Sequence, residues 1–249
     1  HGVCDATRKS IITEYASDIP ITVYHRDYWW SDEWDQLTSG RDYNFEKPFF
    51  VQFRDLLATA PLPNLENTNV VDSEYGNHNA DCKDCYLLFA SFTNENVNYS
   101  DGVVKGKDSF DLYKVGSAEQ SYSDILCDSI NRVSFSQDVD ESLNSQFLLS
   151  CKNMNDCIGC VNLRNKKYYI FNKPYGKEEY FQKVKTLDLG SYKNVTSLTK
   201  QFREFSLLFP RRYASIVKSV DVIGDNIMHA KNCRYVFDIY GKVENSKFL

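Results

Sequence analysis

The chain has 249 residues, a formal net charge of -5 and 14% aromatic residues. That length supplies a large core, in one elongated domain or two compact ones, and the composition is that of a folded chain. The acidic balance disfavours non-specific binding to a phosphate backbone, and no apolar run reaches the ~18–20 residues of a membrane span, so no membrane partner is expected.

Residues 1–68 are aromatic and acidic, with Tyr28-Trp29-Trp30-Ser31-Asp32-Glu33-Trp34-Asp35 as their densest stretch. The chain begins at His1 and not at Met, as expected of a trimmed or mature fragment that has lost any targeting segment. Pro48 is read as the start of a helix reaching Ala60, with Phe49, Phe53, Leu56 and Leu57 on one face and Pro61 and Pro63 as stops.

Residues 69–175 change texture. Short units recur in which a polar pair, often Asp or Asn, precedes a small or apolar residue. Ala80-Asp81-Cys82-Lys83-Asp84-Cys85 is the clearest copy; others start near Glu95, Lys107, Glu119, Asp140 and Asn155. One such unit cannot bury its own inward face, whereas stacked units can. Asp, Asn and Ser suit the corners, because their side chains bond local backbone. The fold class expected is therefore mainly β: a parallel β-solenoid of short, irregularly spaced repeats with an N-terminal aromatic and helical cap. A β-sandwich is the rival, since its strands also recur at 8–12 residues.

Residues 176–213 read as an inserted helical pair. Phe181, Val184 and Leu187 form one stripe, with Gly190 as a stop. Val195, Leu198, Phe202 and Phe205 form another, capped by Ser191 and ended by Pro210. The repeat texture resumes over 214–249, around Asp221–Ile227 and Lys231–Phe237.

The stretches Cys4–Ile12, Trp29–Asp35, Gly40–Phe45, Cys157–Lys166 and Phe209–Arg212 resemble an uncharacterised family of bacterial and environmental Cys-rich repeat proteins. Members carry an N-terminal zinc-finger-like module ahead of repeats dense in Cys-x-x-Cys, and some bear an unsupported acyl-CoA transferase label. The resemblance implies a fold and a zinc module, but no activity. In this chain the upstream zinc ligands are absent, leaving Cys4 and His25 as remnants, and most repeat cysteines are replaced by Ser, Val, Leu or Tyr. Such replacement suits thiols that fill space.

The eight cysteines are Cys4, Cys82, Cys85, Cys127, Cys151, Cys157, Cys160 and Cys233. An even count also suits disulfides in a secreted protein, but a chain this long needs no staples, so buried, reduced thiols in a reducing compartment are expected. The pairs Cys82/Cys85 and Cys157/Cys160 invite a four-thiolate zinc site. Their separation along a stack of strands, roughly 15–30 Å, argues against one, because zinc needs all four sulfurs ~2.3 Å from one point. Zinc is left to the N-terminal module alone, and no other cofactor is expected.

Two surface sets are candidate binding residues. Trp29, Trp30 and Trp34 beside Asp32, Glu33 and Asp35 suit a sugar or peptide platform, or a buried anchor with solvated acids. Arg164, Lys166 and Lys167, with Arg211 and Arg212, suit phosphates or an acidic partner, or a solvated face. No Ser-His-Asp arrangement and no glycine-rich phosphate loop is visible, so no catalytic residue is assigned. The role expected is a non-enzymatic structural or protein-interaction module, self-assembling or joined to protein partners in a larger assembly. A carbohydrate-active solenoid enzyme or sugar-binding protein is the alternative. A nucleic-acid-associated protein is the third.

Overall fold

The computed structural model describes residues 1–249. The chain is mainly β, with four α-helices: α1 (Arg26–Trp29), α2 (Phe49–Leu57), α3 (Lys177–Leu187) and α4 (Tyr192–Ser206). It divides into two compact units, His1–Phe202 and Arg203–Leu249. None of the helices is long and apolar enough to cross a membrane.

A three-residue backbone period organises the first unit. Every third residue from Asp81 to Phe171 lies in the left-handed region. Asn and Asp tolerate that region because their short side chains bond nearby backbone, and they hold many of these corners, including Asp84, Asn96, Asp108, Asn144 and Asp156. Bulky residues at the same kind of position, such as Leu87, Tyr99 and Phe147, are there at a cost of about 1–2 kcal/mol each. The residue after each corner faces the core: Cys82, Cys85, Leu88, Ser91, Asn94, Val97, Ser100 and Val103 are all buried. Even the longest strand, Gln137–Val161, bends at every third residue in this way.

Pairing has one register. From Asn67 onward the strands of the first unit pair in parallel with a constant twelve-residue offset: Asn67 with Asn79, Tyr86 with Asn98, Glu95 with Lys107, Asp128 with Asp140, Lys152 with Arg164. The last pair, Arg164–Ile170 with Lys173–Pro174, is antiparallel, so the nine-stranded sheet is mixed. The expected irregular spacing thus gives way to a pairing offset of twelve, which is four of the three-residue steps.

The constant offset stacks core-facing residues into columns, and their chemistry is repetitive. Ser91 Oγ donates to the Phe89 carbonyl (2.6 Å) and accepts from Val103 N, twelve residues on (2.9 Å). Asn94 does the same work with an amide: its Oδ1 accepts from Gly106 N and its Nδ2 donates to the Val103 carbonyl. Cys151 donates its thiol to the Leu149 and Cys160 carbonyls. Ser, Cys, Asn and Val are interchangeable here because each fills a small volume and leaves no polar atom stranded.

Cys4, Ile11 and Val23 form a small core of their own at the N-terminal end. Val23–Tyr24 pairs in parallel with Leu62–Pro63, and Asn77 Nδ2 donates to Glu14 Oε2 (2.6 Å), which ties this segment to the first strands. The predicted helix from Pro48 is α2, with Pro48 as its N-cap, and it buries no residue.

α3 and α4 lie on one face of the sheet. Phe147, Ile158 and Leu198 form a buried cluster with Phe135, Phe171, Val184, Leu187, Val195 and Phe202 packed against it. The expected stripe of α3 needs one correction. Tyr180 is buried, whereas Phe181 is largely exposed. The stop is also displaced: Asp188, in the left-handed region, ends α3, not Gly190.

In the second unit, Ala230, Cys233, Val236 and Ile239 are buried at the same three-residue interval. Its parallel register drifts from Val220 with Lys231 to Ala230 with Val243, with a shift between Ile223 and Gly224. Gly224 is required there, since a Cβ would overlap the Val236 carbonyl oxygen.

Candidate binding groove

On the outer surface of the first unit, the triplet pattern sets two columns of side chains on either side of a core-facing one. Phe89, Asp101, Tyr113 and Ile125 are direct register partners along one column. Leu87, Tyr99, Asp111 and Ser123, at left-handed corners, form the other. Ser100 and Leu112 lie between them, and together these residues line a groove of about 490 Å³. At ~4.8 Å per strand it runs for roughly 15 Å. Phe89, Tyr99, Tyr113 and Ile125 are exposed. The walls are therefore apolar and aromatic, with the carboxylates of Asp101 and Asp111 set among them and Lys114 Nζ 5.2 Å from the Tyr113 ring centre. Residues in such an arrangement can bind an apolar or aromatic group.

The groove is continuous with the seat of the helical pair. Tyr122 meets Phe135 edge-on at 5.3 Å, Phe135 stacks on Phe147 at 4.9 Å, and Phe147 meets Phe202 of α4 at 5.8 Å.

Beneath this face Asp124 is buried. Its Oδ1 accepts from Ser136 N (2.9 Å), while Oδ2 has no partner. Burial pushes its carboxyl up to about 7, against the backbone hydrogen bonds that lower it. Burial, and next the Asp124 charge, push the Cys127 thiol well up.

The residues singled out from sequence are dispersed. Trp29 and Trp34 are half-buried: Trp29 Nε1 donates to the Pro61 carbonyl (3.0 Å) and Trp34 Nε1 to the Trp29 carbonyl (2.9 Å). Those bonds make them an anchor of the N-terminal segment, and Trp30 alone projects. Arg164 and Lys167 are exposed on the last parallel strand. Lys166 instead extends the core-facing column of Met154 and lies 5.8 Å from the Tyr169 ring centre. A charge at that point seals the end of the sheet against further pairing. Arg211 and Arg212 belong to the second unit and are exposed.

Cys4 Sγ accepts from Thr7 N (3.4 Å) and His25 N (3.1 Å), so His25 reaches it through the backbone. The imidazole Nδ1 accepts from Asp27 N instead. Nowhere do three or more His, Cys, Asp or Glu side chains converge as a metal site. All eight cysteines are free and buried. Within the paired thiols, Cys85 donates to the Lys83 carbonyl and Cys160 to the Ile158 carbonyl. The nearness of the two sulfurs lowers the pKa of Cys82 and Cys157 and raises that of Cys85 and Cys160.

Sequence reasoning missed the groove. Its columns, Phe89-Asp101-Tyr113-Ile125 and Leu87-Tyr99-Asp111-Ser123, mix residue types, so nothing recurs at the twelve-residue interval to signal it. Neither a protein-family model nor a curated protein sequence matches the chain.

Proposed function

We propose that residues 67–170 wind as a parallel β-solenoid of twelve residues per turn, and that the chain is a non-enzymatic interaction module of a larger assembly. The constant twelve-residue offset and the left-handed corner at every third residue support the winding. The functional reading rests on the aromatic groove beside the seat of α4, an apolar surface on a face that already binds helices. Exposed apolar surface of this kind marks interaction sites. Membership of the Cys-rich repeat family belongs to the same proposal, supported by the tryptophan segment and by Cys157–Lys166.

Cross-linking in the native source, followed by mass spectrometry, tests this reading. Cross-links to defined proteins from Lys114, which stands beside the groove residue Tyr113, are expected. Their absence, with a chain that stays free at native concentration, would overturn it.

A second reading is a sugar-binding protein. It draws on Tyr99 and Tyr113 standing beside Asp101 and Asp111, since aromatic faces next to carboxylates suit sugar rings. Titration calorimetry against a panel of oligosaccharides decides it, and binding lost in Tyr113→Ala is the required result.

A further inference from the structure

The first unit carries an exposed apolar helix face as well as an exposed apolar groove. On α2, Phe50 is 80% exposed, Phe53 44% and Leu57 43%. Side chains three and seven residues apart lie on one stripe of a helix. An apolar stripe of this kind is costly to leave in water.

The molecule shows how such a stripe is accommodated. α4 presents Val195, Leu198 and Phe202, at the same spacing of three and seven residues, to Phe135 and Phe147. The groove continues that face toward the N-terminal end through Tyr122. Asp101 and Asp111 stand in the groove with Lys114 beside Tyr113, and the α2 stripe is flanked by Arg54 and Asp55, paired with each other at 3.9 Å. A contact between the two is therefore carried by their apolar surfaces and by the groove's continuity with the seat of α4.

We propose that the Phe50–Phe53–Leu57 stripe of one molecule seats in the Leu87–Tyr99–Tyr113 groove of a second copy. This deepens the interaction-module reading and rests on it. The contact joins two different surfaces, so it is head-to-tail, and repeated it gives an open chain of molecules and not a closed pair.

Sedimentation of the full chain across a concentration series tests it. The wild type is expected to form oligomers that grow with concentration. Phe50→Asp, which spoils the helix, and Tyr113→Asp, which spoils the groove, are each expected to weaken association at least about tenfold. Tyr99→Ser is a second groove variant, should Tyr113→Asp lose its folded circular dichroism spectrum. Mixed together, the Phe50→Asp and Tyr113→Asp proteins retain one intact helix and one intact groove. They should form a heterodimer that grows no further. A monomeric wild type, variants that associate as the wild type does, or a mixture that stays monomeric would each overturn the proposal. Docking of α2 into its own groove predicts the monomeric outcomes. Native cross-links from Lys114 to other proteins would still stand in those cases, which separates failure of this contact from failure of the interaction role.

Discussion

At the scale of single residues, the core-facing columns obey one rule: a polar side chain is tolerated if it both accepts from the next strand and donates to a carbonyl. Asp124 meets half of it. Its Oδ1 accepts from Ser136 N, but as a carboxylate it has no proton to donate, and Oδ2 is stranded. Its folded pKa of about 7 lies above the ordinary carboxyl value, so the folded state binds the extra proton. The stability it contributes is complete below about pH 4 and is lost as pH rises toward 7. Asp124→Asn supplies the missing donor, as Asn94 does, and removes that slope. Urea unfolding should show the variant gaining on the wild type by roughly 3 kcal/mol between pH 5 and pH 8. Parallel pH profiles would contradict the assignment. The thiols obey the same rule as donors to carbonyls, and all eight are buried. A thiol reagent should therefore label none of them rapidly in the native protein and all eight in denaturant. Rapid labelling of Cys82, Cys151 or Cys157 would refute the packing. That these cysteines are space-fillers was legible in their exchange with Ser and Val. The exposure of Asp124 to a dry core was not, since one Asp among many corner aspartates carries no local sign of facing inward.

Among the elements, the helical pair was the most legible because a 3.6-residue stripe is a strong signal. Val195, Leu198 and Phe202 do face the sheet. What the stripe could not reveal is which of two adjacent aromatics turns inward, and in α3 it is Tyr180, not Phe181. The α4 docking implies a graded series. Leu198 is buried, and its truncation to Ala should cost about 2–5 kcal/mol through lost transfer energy and the cavity left behind. Phe202 packs on Phe147 but is only half-buried, so Phe202→Ala should cost less than a fully buried Phe would, about 1–3 kcal/mol. Lys200 is exposed, and its truncation should shift stability by less than about 0.5 kcal/mol. Denaturant unfolding of the three variants measures the order. Equal, small effects would mean that α4 is not docked. α2 illustrates the opposite limit: its helix and its start at Pro48 were readable, yet its apolar face stays exposed, because a stripe says that a surface must be covered and not by what.

For the whole molecule, the sequence suggests units of irregular spacing, whereas the parallel register has a constant offset of twelve. Those units start at Ala80, Glu95, Lys107, Glu119, Asp140 and Asn155, at intervals that are all multiples of three. A chain whose corners recur every third residue aligns with itself at any such interval. Arg132, at the corner where the other units carry an acid or amide, hid the intervening twelve-residue step. The division between units was equally hidden, because it falls within a continuous helix. That division makes a last prediction. Residues 207–215 belong to no helix or strand, and after the turn bonds of Leu207, Leu208 and Phe209 to the end of α4 the backbone from Arg211 to Ala214 makes no such bond. Leu207, Leu208 and Tyr213 are more than 70% exposed, and Arg211 and Arg212 are exposed beside them. Proteolysis needs a segment that can leave its hydrogen bonds and enter an active site, and here few bonds hold the backbone. The lysines of the twelve-residue ladder, such as Lys107, are held in strands on both sides. Elsewhere outside the helices and strands, Arg41 is followed by Asp42 and Lys47 by Pro48, both poor trypsin sites. Arg8 and Lys9 lie in a turn held by the bonds from Arg8 N to the Cys4 carbonyl and from Cys4 N to the Lys9 carbonyl, and Lys218 and Lys242 in short gaps between paired strands. Trypsin should therefore cut first after Arg211 or Arg212. The larger fragment retains the whole of the first unit and all of α4, so it should keep a cooperative unfolding transition after purification. First cuts within residues 81–171, or a larger fragment that no longer unfolds cooperatively, would show that the first unit does not stand alone.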